Sequence, residues 1–239
     1  MPPPTRIDEI ADGIHRISTA FSEEILPGGF TFNQFLIAGE QPLLYHTGPR
    51  KLFPAVRAAI ERVLPIAQLR YVALSHFESD ECGALNAFLA VAPRAEPVCG
   101  TLAKLVSVDD FADRPARGLA DGEELALGVH RVRWFDTPHL PHAWECGHLF
   151  EATTRTLFCG DLFTQGGSEH VPVTESDILE PSEAMRRAMD YYAHTPELPA
   201  QLAKLARTEP ATLACMHGAS WRGDGAALLG QLAKSLTRS

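Results

Sequence analysis

Six residues of this 239-residue chain have types and positions suited to metal chemistry: His76, Glu78, Asp80, His139, Asp161 and His217. They come from four separate stretches, each at the end of an apolar run that reads as a strand. Three imidazoles and three carboxylates converging from strand ends are the donor set of a two-metal site. Asp161, directly after Gly160, is suited to bridging, because one carboxylate can give an oxygen to each ion. Each residue alone has a plainer explanation. A single His at a strand end is usually capped or solvent-facing, which is how His15, His46, His130, His148, His170 and His194 read. The run from His76 to Glu81 could be a solvated acidic loop. The argument for metal is that four stretches each carry a ligand type.

The elements that must position these residues follow from local pattern. Alternation and aromatic content predict strands from Gly13 to Ser18, Phe30 to Ala38 and Pro42 to Gly48. Apolar spacing of three and four predicts a helix from Phe53 to Val63. A buried strand from Leu69 to Ser75 delivers His76, and a compact helix covers Gly83 to Val91. In the second half, a half-buried strand from His130 to Asp136 ends at Thr137-Pro-His. A hairpin pair, His148 to Ala152 and Thr156 to Cys159, runs into Gly160-Asp161. A helix is expected from Ser182 to Ala193 with Ser182 as its N-cap. A last strand from Thr212 to Met216 ends at His217, and a helix from Gly225 to Leu236 follows.

Composition narrows the classes. The chain is 45% hydrophobic and 21% charged, which suits a folded globular protein and not a disordered one. Its formal net charge of −9 disfavours nucleic acid and anionic membranes as partners. No apolar run approaches a membrane span, and the N-terminus lacks the apolar core of a secretory signal. Five cysteines, none at C-x-x-C spacing, argue against a disulfide framework or thiolate zinc site and for a reducing, cytoplasmic compartment.

The order His76-x-Glu78-x-Asp80, Thr137-Pro-His139-x-Pro141, Cys159-Gly160-Asp161 and His217-Gly218 resembles the metallo-β-lactamase superfamily. Asn33 in an early strand and Asp121-Gly-Glu-Glu-Leu are further matches, and the resemblance runs from about Ile14 to Leu236. It implies an α/β fold: an αββα sandwich of two packed mixed sheets flanked by helices, a single domain over residues 1–239, with metals at one sheet edge. Hydrolytic members usually carry His where Glu78 and Glu81 stand. The His-x-Glu-x-Asp pattern instead resembles the flavodiiron proteins, and Asp190-Tyr-Tyr-Ala-His is similar to a helix segment of that family. Those proteins append a flavodoxin domain with flavin mononucleotide. No flavin is expected in this chain, which is most similar to stand-alone oxygen-binding di-iron proteins.

Carried over, the resemblance assigns His76, Glu78 and His139 to one iron, Asp80 and His217 to the other, and Asp161 to the bridge. His139 is preferred to His142 because the superfamily's ligand commonly has a proline two residues later, here Pro141. His142 is then a neighbour of the ligands or part of the pocket wall. Glu81 stands where the family has a His that is not always a ligand, and its coordination stays open.

Two imidazoles and a carboxylate suit non-haem iron, and the charge of Glu78 offsets that of ferric ion. Zinc, unable to change oxidation state, gains nothing from that charge. Two irons are expected, with manganese or zinc as alternatives. The implied function is binding, or binding and reduction, of oxygen or a related diatomic, with a separate electron-donor protein if it is a reductase. The alternative is a dinuclear hydrolase of a thioester, lactone or phosphodiester. Its bound water needs Lewis acidity that extra anionic ligands reduce. A module that has lost its metal ranks last. Phe30, Phe32, Phe77, Trp144 and Trp221 could wall a dry pocket or be ordinary core, and Cys82 and Cys159 read as buried fillers. Dimers are common in the family, so a homodimer is one expected arrangement, although this chain lacks a flavin to bring to a partner's iron.

Overall fold

The computed structural model describes residues 4–237. Strands Thr5–Ala11 (β1), Ile14–Phe21 (β2), Phe30–Ile37 (β3) and Leu43–Tyr45 (β4) form an antiparallel meander. It continues in parallel through Tyr71–Ala73 (β5), Glu96–Gly100 (β6) and Arg117–Leu119 (β7). The second sheet takes Glu124–Ala126 (β8), Arg131–Asp136 (β9), Gly147–Glu151 (β10), Thr156–Phe158 (β11), Val173–Thr174 (β12), Thr212–Ala214 (β13) and Ser220–Arg222 (β14). Its order is β12-β14-β13-β11-β10-β9-β8, with parallel and antiparallel pairs mixed.

Three apolar layers hold the sandwich together. Between the sheets, Phe35, Tyr45, Trp134, Leu149 and Phe158 interdigitate. On the outer face of the first sheet, Phe53–Ile60 (α1) and Leu85–Val91 (α3) bury Val56, Ile60, Leu85 and Phe88 against Leu36, Leu44 and Val72. On the outer face of the second, Leu198–Ala206 (α7) and Gly225–Leu236 (α8) bury Leu202, Leu205, Leu229 and Leu232 against Leu157, Leu213 and Cys215. The fold is the expected αββα sandwich. Strand β10 is buried at every position because both of its faces are covered: Leu149 enters the inter-sheet layer and Phe150 the helical one. Gly147 is required there, since a Cβ would sit 2.0 Å from the Trp134 ring.

The elements that the sequence pattern names lie within a few residues of their expected places, except one. The helix expected over Ser182–Ala193 spans Leu179–Met189 (α6), and the Ser182 hydroxyl donates back to the Leu179 carbonyl from inside it. Asp190 takes a left-handed conformation (φ 50°), so Asp190-Tyr-Tyr-Ala-His is not helical. Helix α7, the short helices Ser79–Cys82 (α2), Thr101–Ala103 (α4) and Asp109–Phe111 (α5), and strands β1, β6, β7, β8, β12 and β14 have no counterpart in the sequence pattern. All five cysteines are free and buried. Among the described residues no helix is long and apolar enough to cross a membrane.

Glu151 closes β10 with a fully buried carboxylate. It accepts hydrogen bonds from Thr153 N (2.9 Å), Thr154 N (2.7 Å) and Thr154 Oγ1 (2.6 Å), and lies 3.2 Å from His130 Nδ1. Burial pushes its pKa up, but the threonine donors outweigh that and hold it below the ordinary range. A depressed carboxylate contributes stability that is present above its ordinary pKa of about 4.3 and lost as pH falls through the folded value. Glu151→Gln, which aims an amide at these donors, is expected to cost about 1–3 kcal/mol in urea denaturation at pH 7. The difference from wild type should shrink in acid; a difference independent of pH would contradict this account.

Candidate metal centre

Loops at one edge of the sandwich carry the cluster. The loop after β5 holds Ser75 to Glu78 and leads into the short helix Ser79–Cys82 (α2), which carries Asp80 and Glu81. The loop after β9 supplies His142, the end of β11 supplies Asp161, and the end of β13 supplies His217. Cross-sheet bonds fix the edge. Gly147 N donates to Ser75 O (2.9 Å), and Asn33 N on β3 donates to Met216 O (2.8 Å). Asn33 Nδ2 also reaches the carbonyls of Cys215 and Gly218, both at 2.9 Å, and buried Arg16 donates to Gly218 O at 2.7 Å.

Asp161 sits at the middle. Its Oδ2 lies 3.4 Å from His76 Nε2 and 3.3 Å from His142 Nε2, and its Oδ1 lies 3.2 Å from His217 Nε2. Glu78 Oε1 is 3.2 Å from His142 Nε2 and 3.9 Å from His76 Nε2, while Asp80 Oδ2 is 3.6 Å from His217 Nε2. His76 and His142 meet edge to face with their Nε2 atoms 3.1 Å apart. Donor atoms about 2.1 Å from one octahedral ion are separated by roughly 3 Å, which is the spacing found here. The cluster therefore divides into His76, Glu78 and His142 on one side and Asp80 and His217 on the other, with Asp161 facing both.

The outward nitrogens confirm that the three rings are aimed. His142 Nδ1 donates to Tyr191 O (3.1 Å) and His217 Nδ1 to Thr31 O (2.8 Å). A carbonyl only accepts, so in the neutral rings Nδ1 holds the proton and Nε2 presents its lone pair to the cluster. His76 Nδ1 meets Ser75 Oγ at 2.9 Å, and the same hydroxyl meets Nε2 of buried His46 at 3.0 Å. That His46 nitrogen also accepts from Ser75 N (3.2 Å). Ser75 thus takes the His76 proton bond and passes its own hydrogen to His46, fixing the same tautomer at His76. Such outer hydrogen bonds are what orient imidazole ligands on metals.

The electrostatics have the same arrangement. Burial pushes Asp161 up, but the hydrogen bond to His217 and the charges of His76, His217 and His142 outweigh it and hold it well below the carboxylate range. Glu78 is lowered, chiefly by its hydrogen bond with His142. Burial lowers His142 and His217, yet their carboxylate partners raise both above the ordinary imidazole value. Glu81 goes the other way: burial, then the carboxylates of Asp161 and Asp80, push it well above the usual range. Neither of its oxygens has a hydrogen-bond partner. Among the described residues, two donor groupings could hold an ion, His76–His142–Asp161 and His76–Glu78–Glu81. The inward lone pairs, the divided carboxylate and the orphaned Glu81 oxygens all fit a pair of metal ions.

His139 is not part of the cluster. It is exposed, takes a left-handed conformation (φ 64°), and pairs its N–H with Ala143 O in the turn. That turn faces His139 to solvent and brings His142 inward, so the expectation that His139 precedes His142 is corrected. Phe30 and Phe32 do wall the cleft, with Phe30 stacked on His217 at 4.4 Å. Phe77 packs on Phe111, Trp144 is exposed, and Trp221 belongs to the outer helical layer. Ser75 and Thr31 enter the sequence reading only as strand residues, Tyr191 enters it only within a helix segment, and His46, read as capped or solvent-facing, is fully buried and bonded to Ser75. The cleft measures about 560 Å³.

The fold and the donor set together define a β-lactamase-like sandwich with a dinuclear-type site. A sequence profile described as ODP family beta lactamase matches residues 30–218, and the chain belongs to that family. A rubredoxin-oxygen oxidoreductase of Megalodesulfovibrio gigas is 25% identical over 234 residues, 90% of this chain and 57% of that protein. A type A flavoprotein of Rhodobacter capsulatus is 29% identical over 56% of this chain and 32% of its own length. The chain thus spans between about a third and just over half of these curated relatives. A metal-soaked flavodiiron core from Synechocystis superposes with a TM-score of 0.83 at 20% identity, covering 100% of this chain and 62% of that one. A diflavin flavoprotein fragment from Nostoc gives 0.84 at 20% identity, covering 100% and 97%. The fold is that of the flavodiiron metallo-β-lactamase-like core.

His142→Ala is expected to weaken binding of one of two divalent ions at least ~10-fold, while His139→Ala leaves binding unchanged. Calorimetric titration of both variants with the same divalent ion checks this. Equal losses in the two variants would contradict the assignment of His142.

Proposed function

We propose that this chain is a non-haem di-iron protein that binds, or binds and reduces, oxygen or a related diatomic, with residues 1–239 acting as one domain. The observation that carries the reading is the Asp161 carboxylate, whose two oxygens face the His76/His142 side and the His217 side at 3.2–3.4 Å. His76, His142 and Glu78 would hold one ion, Asp80 and His217 the other, and Asp161 would lie between them. Two irons so held would supply the electrons that a diatomic ligand accepts.

The donor set favours iron, since two imidazoles and a carboxylate on one ion are its preferred surroundings. Manganese would fit the same set, and zinc would bind without being able to change oxidation state. The remaining work falls to the chain's own residues. Ser75, Thr31 O and Tyr191 O hold the imidazoles in one tautomer. Phe30, Phe32, Leu26 and Met189 line the cleft with apolar surface that limits water. The name of the Megalodesulfovibrio gigas relative pairs rubredoxin with oxygen, which supports a small separate electron-donor protein as the partner of this chain. No flavin is assigned to these residues. A cytoplasmic setting would keep the five free cysteines reduced.

The deciding measurement is elemental analysis of freshly purified protein, then anaerobic reduction and an oxygen titration. Two irons per chain with a spectral change on oxygen are expected. Two zincs and no response to oxygen would overturn the reading in favour of a hydrolase. Glu78→His should shift the site toward zinc and abolish the oxygen response; unchanged iron content and oxygen uptake would remove Glu78 from the ligand set.

A further inference from the structure

Glu81 is the member of the cluster to which the reading above gives no task. Its side chain is fully buried on α2, Oε2 points toward His76 Nε2 at 4.0 Å, and neither oxygen has a hydrogen-bond partner. Its backbone carbonyl, by contrast, is satisfied twice, by Thr47 N (2.7 Å) and Thr47 Oγ1 (3.2 Å). Buried polar groups are almost always partnered, because withdrawing one from water without compensation is costly. An apolar side chain of the same shape would fill this space without that cost. The donor atoms of His76, Glu78 and Glu81 all lie within 4.8 Å of one another, so the orphaned carboxylate belongs to the cluster and not to the packing around it.

We propose that Glu81 is a seventh protein ligand of the metal pair, and that its charge leaves the loaded site without net charge. The inference rests on the dinuclear reading above. With Glu81 the site holds four carboxylates (Glu78, Asp80, Glu81, Asp161) and three imidazoles (His76, His142, His217). Two divalent ions are then matched charge for charge. A neutral residue at position 81 would leave one uncancelled positive charge in a buried site, where Coulomb attraction for anions is strong. The matched site therefore takes uncharged small ligands in preference to phosphates or carboxylates.

The test uses the whole chain, with Glu81→Leu and Glu81→Gln beside wild type. Anaerobic titration with ferrous ion should show one of the two ions bound at least ~10-fold more weakly in both variants. Chelator-treated Glu81→Leu should melt about 2–4 °C above chelator-treated wild type, because the orphaned oxygens are gone. Cobalt-loaded Glu81→Gln should bind azide about 10-fold more tightly than cobalt-loaded wild type, read from the visible spectrum. A purely structural Glu81 would instead lower the melting temperature of the metal-free variant and leave both affinities alone. Wild-type protein that takes up two ions, with affinities surviving both substitutions, overturns the role of Glu81 alone. Wild-type protein that takes up no pair of ions overturns the dinuclear reading itself.

Discussion

One carboxylate, that of Asp161, sets the terms for the rest of the site. Its oxygens are divided between imidazoles that arrive from different segments, and its side chain is almost wholly removed from solvent. That division requires the chain segments that follow β5, β11 and β13 to meet around one carboxylate. Gly160, at φ 49°, turns the chain there with Ser75 Oγ only 3.3 Å from where a Cβ would stand. Neighbouring elements serve the same requirement. The Ser75–Gly147 backbone bond joins the two sheets at the site edge, and β3 grips the 215–218 loop through Asn33 and Thr31.

Much of this arrangement is legible in sequence because strand ends are legible. The apolar runs before His76, Asp161 and His217 each terminate at a polar residue, and the structure brings all three residues within hydrogen-bond range. The layered architecture is legible from strand-rich halves with interspersed helices and from the family resemblance, and β10, buried at every position, shows why each sheet needs cover on both faces.

What could not be read is local backbone geometry. In Thr137-Pro-His-Leu-Pro-His, two histidines three residues apart compete for one place, and the choice is made by a left-handed residue at 139, which leaves no residue-type signature. Thr31 and Tyr191 act on the histidines through carbonyl oxygens, a property every residue shares. The end of α6 at Met189 likewise depends on Asp190 adopting φ 50°. That stop leaves Tyr191 free to meet His142, and a helix read from Ser182 through to Ala193 conceals it.

The donors come from both sheets: His76, Glu78, Asp80 and Glu81 follow β5, whereas His142, Asp161 and His217 follow strands of the second sheet. Any ion shared between them is a clasp across the sandwich, closing a chain loop that runs from His76 to His217. An occupant that binds only the folded form stabilises it by an amount set by the ratio of its free concentration to its dissociation constant. Bound ions would hold the two halves together, so unfolding of the loaded protein would be slower than that of the metal-free protein.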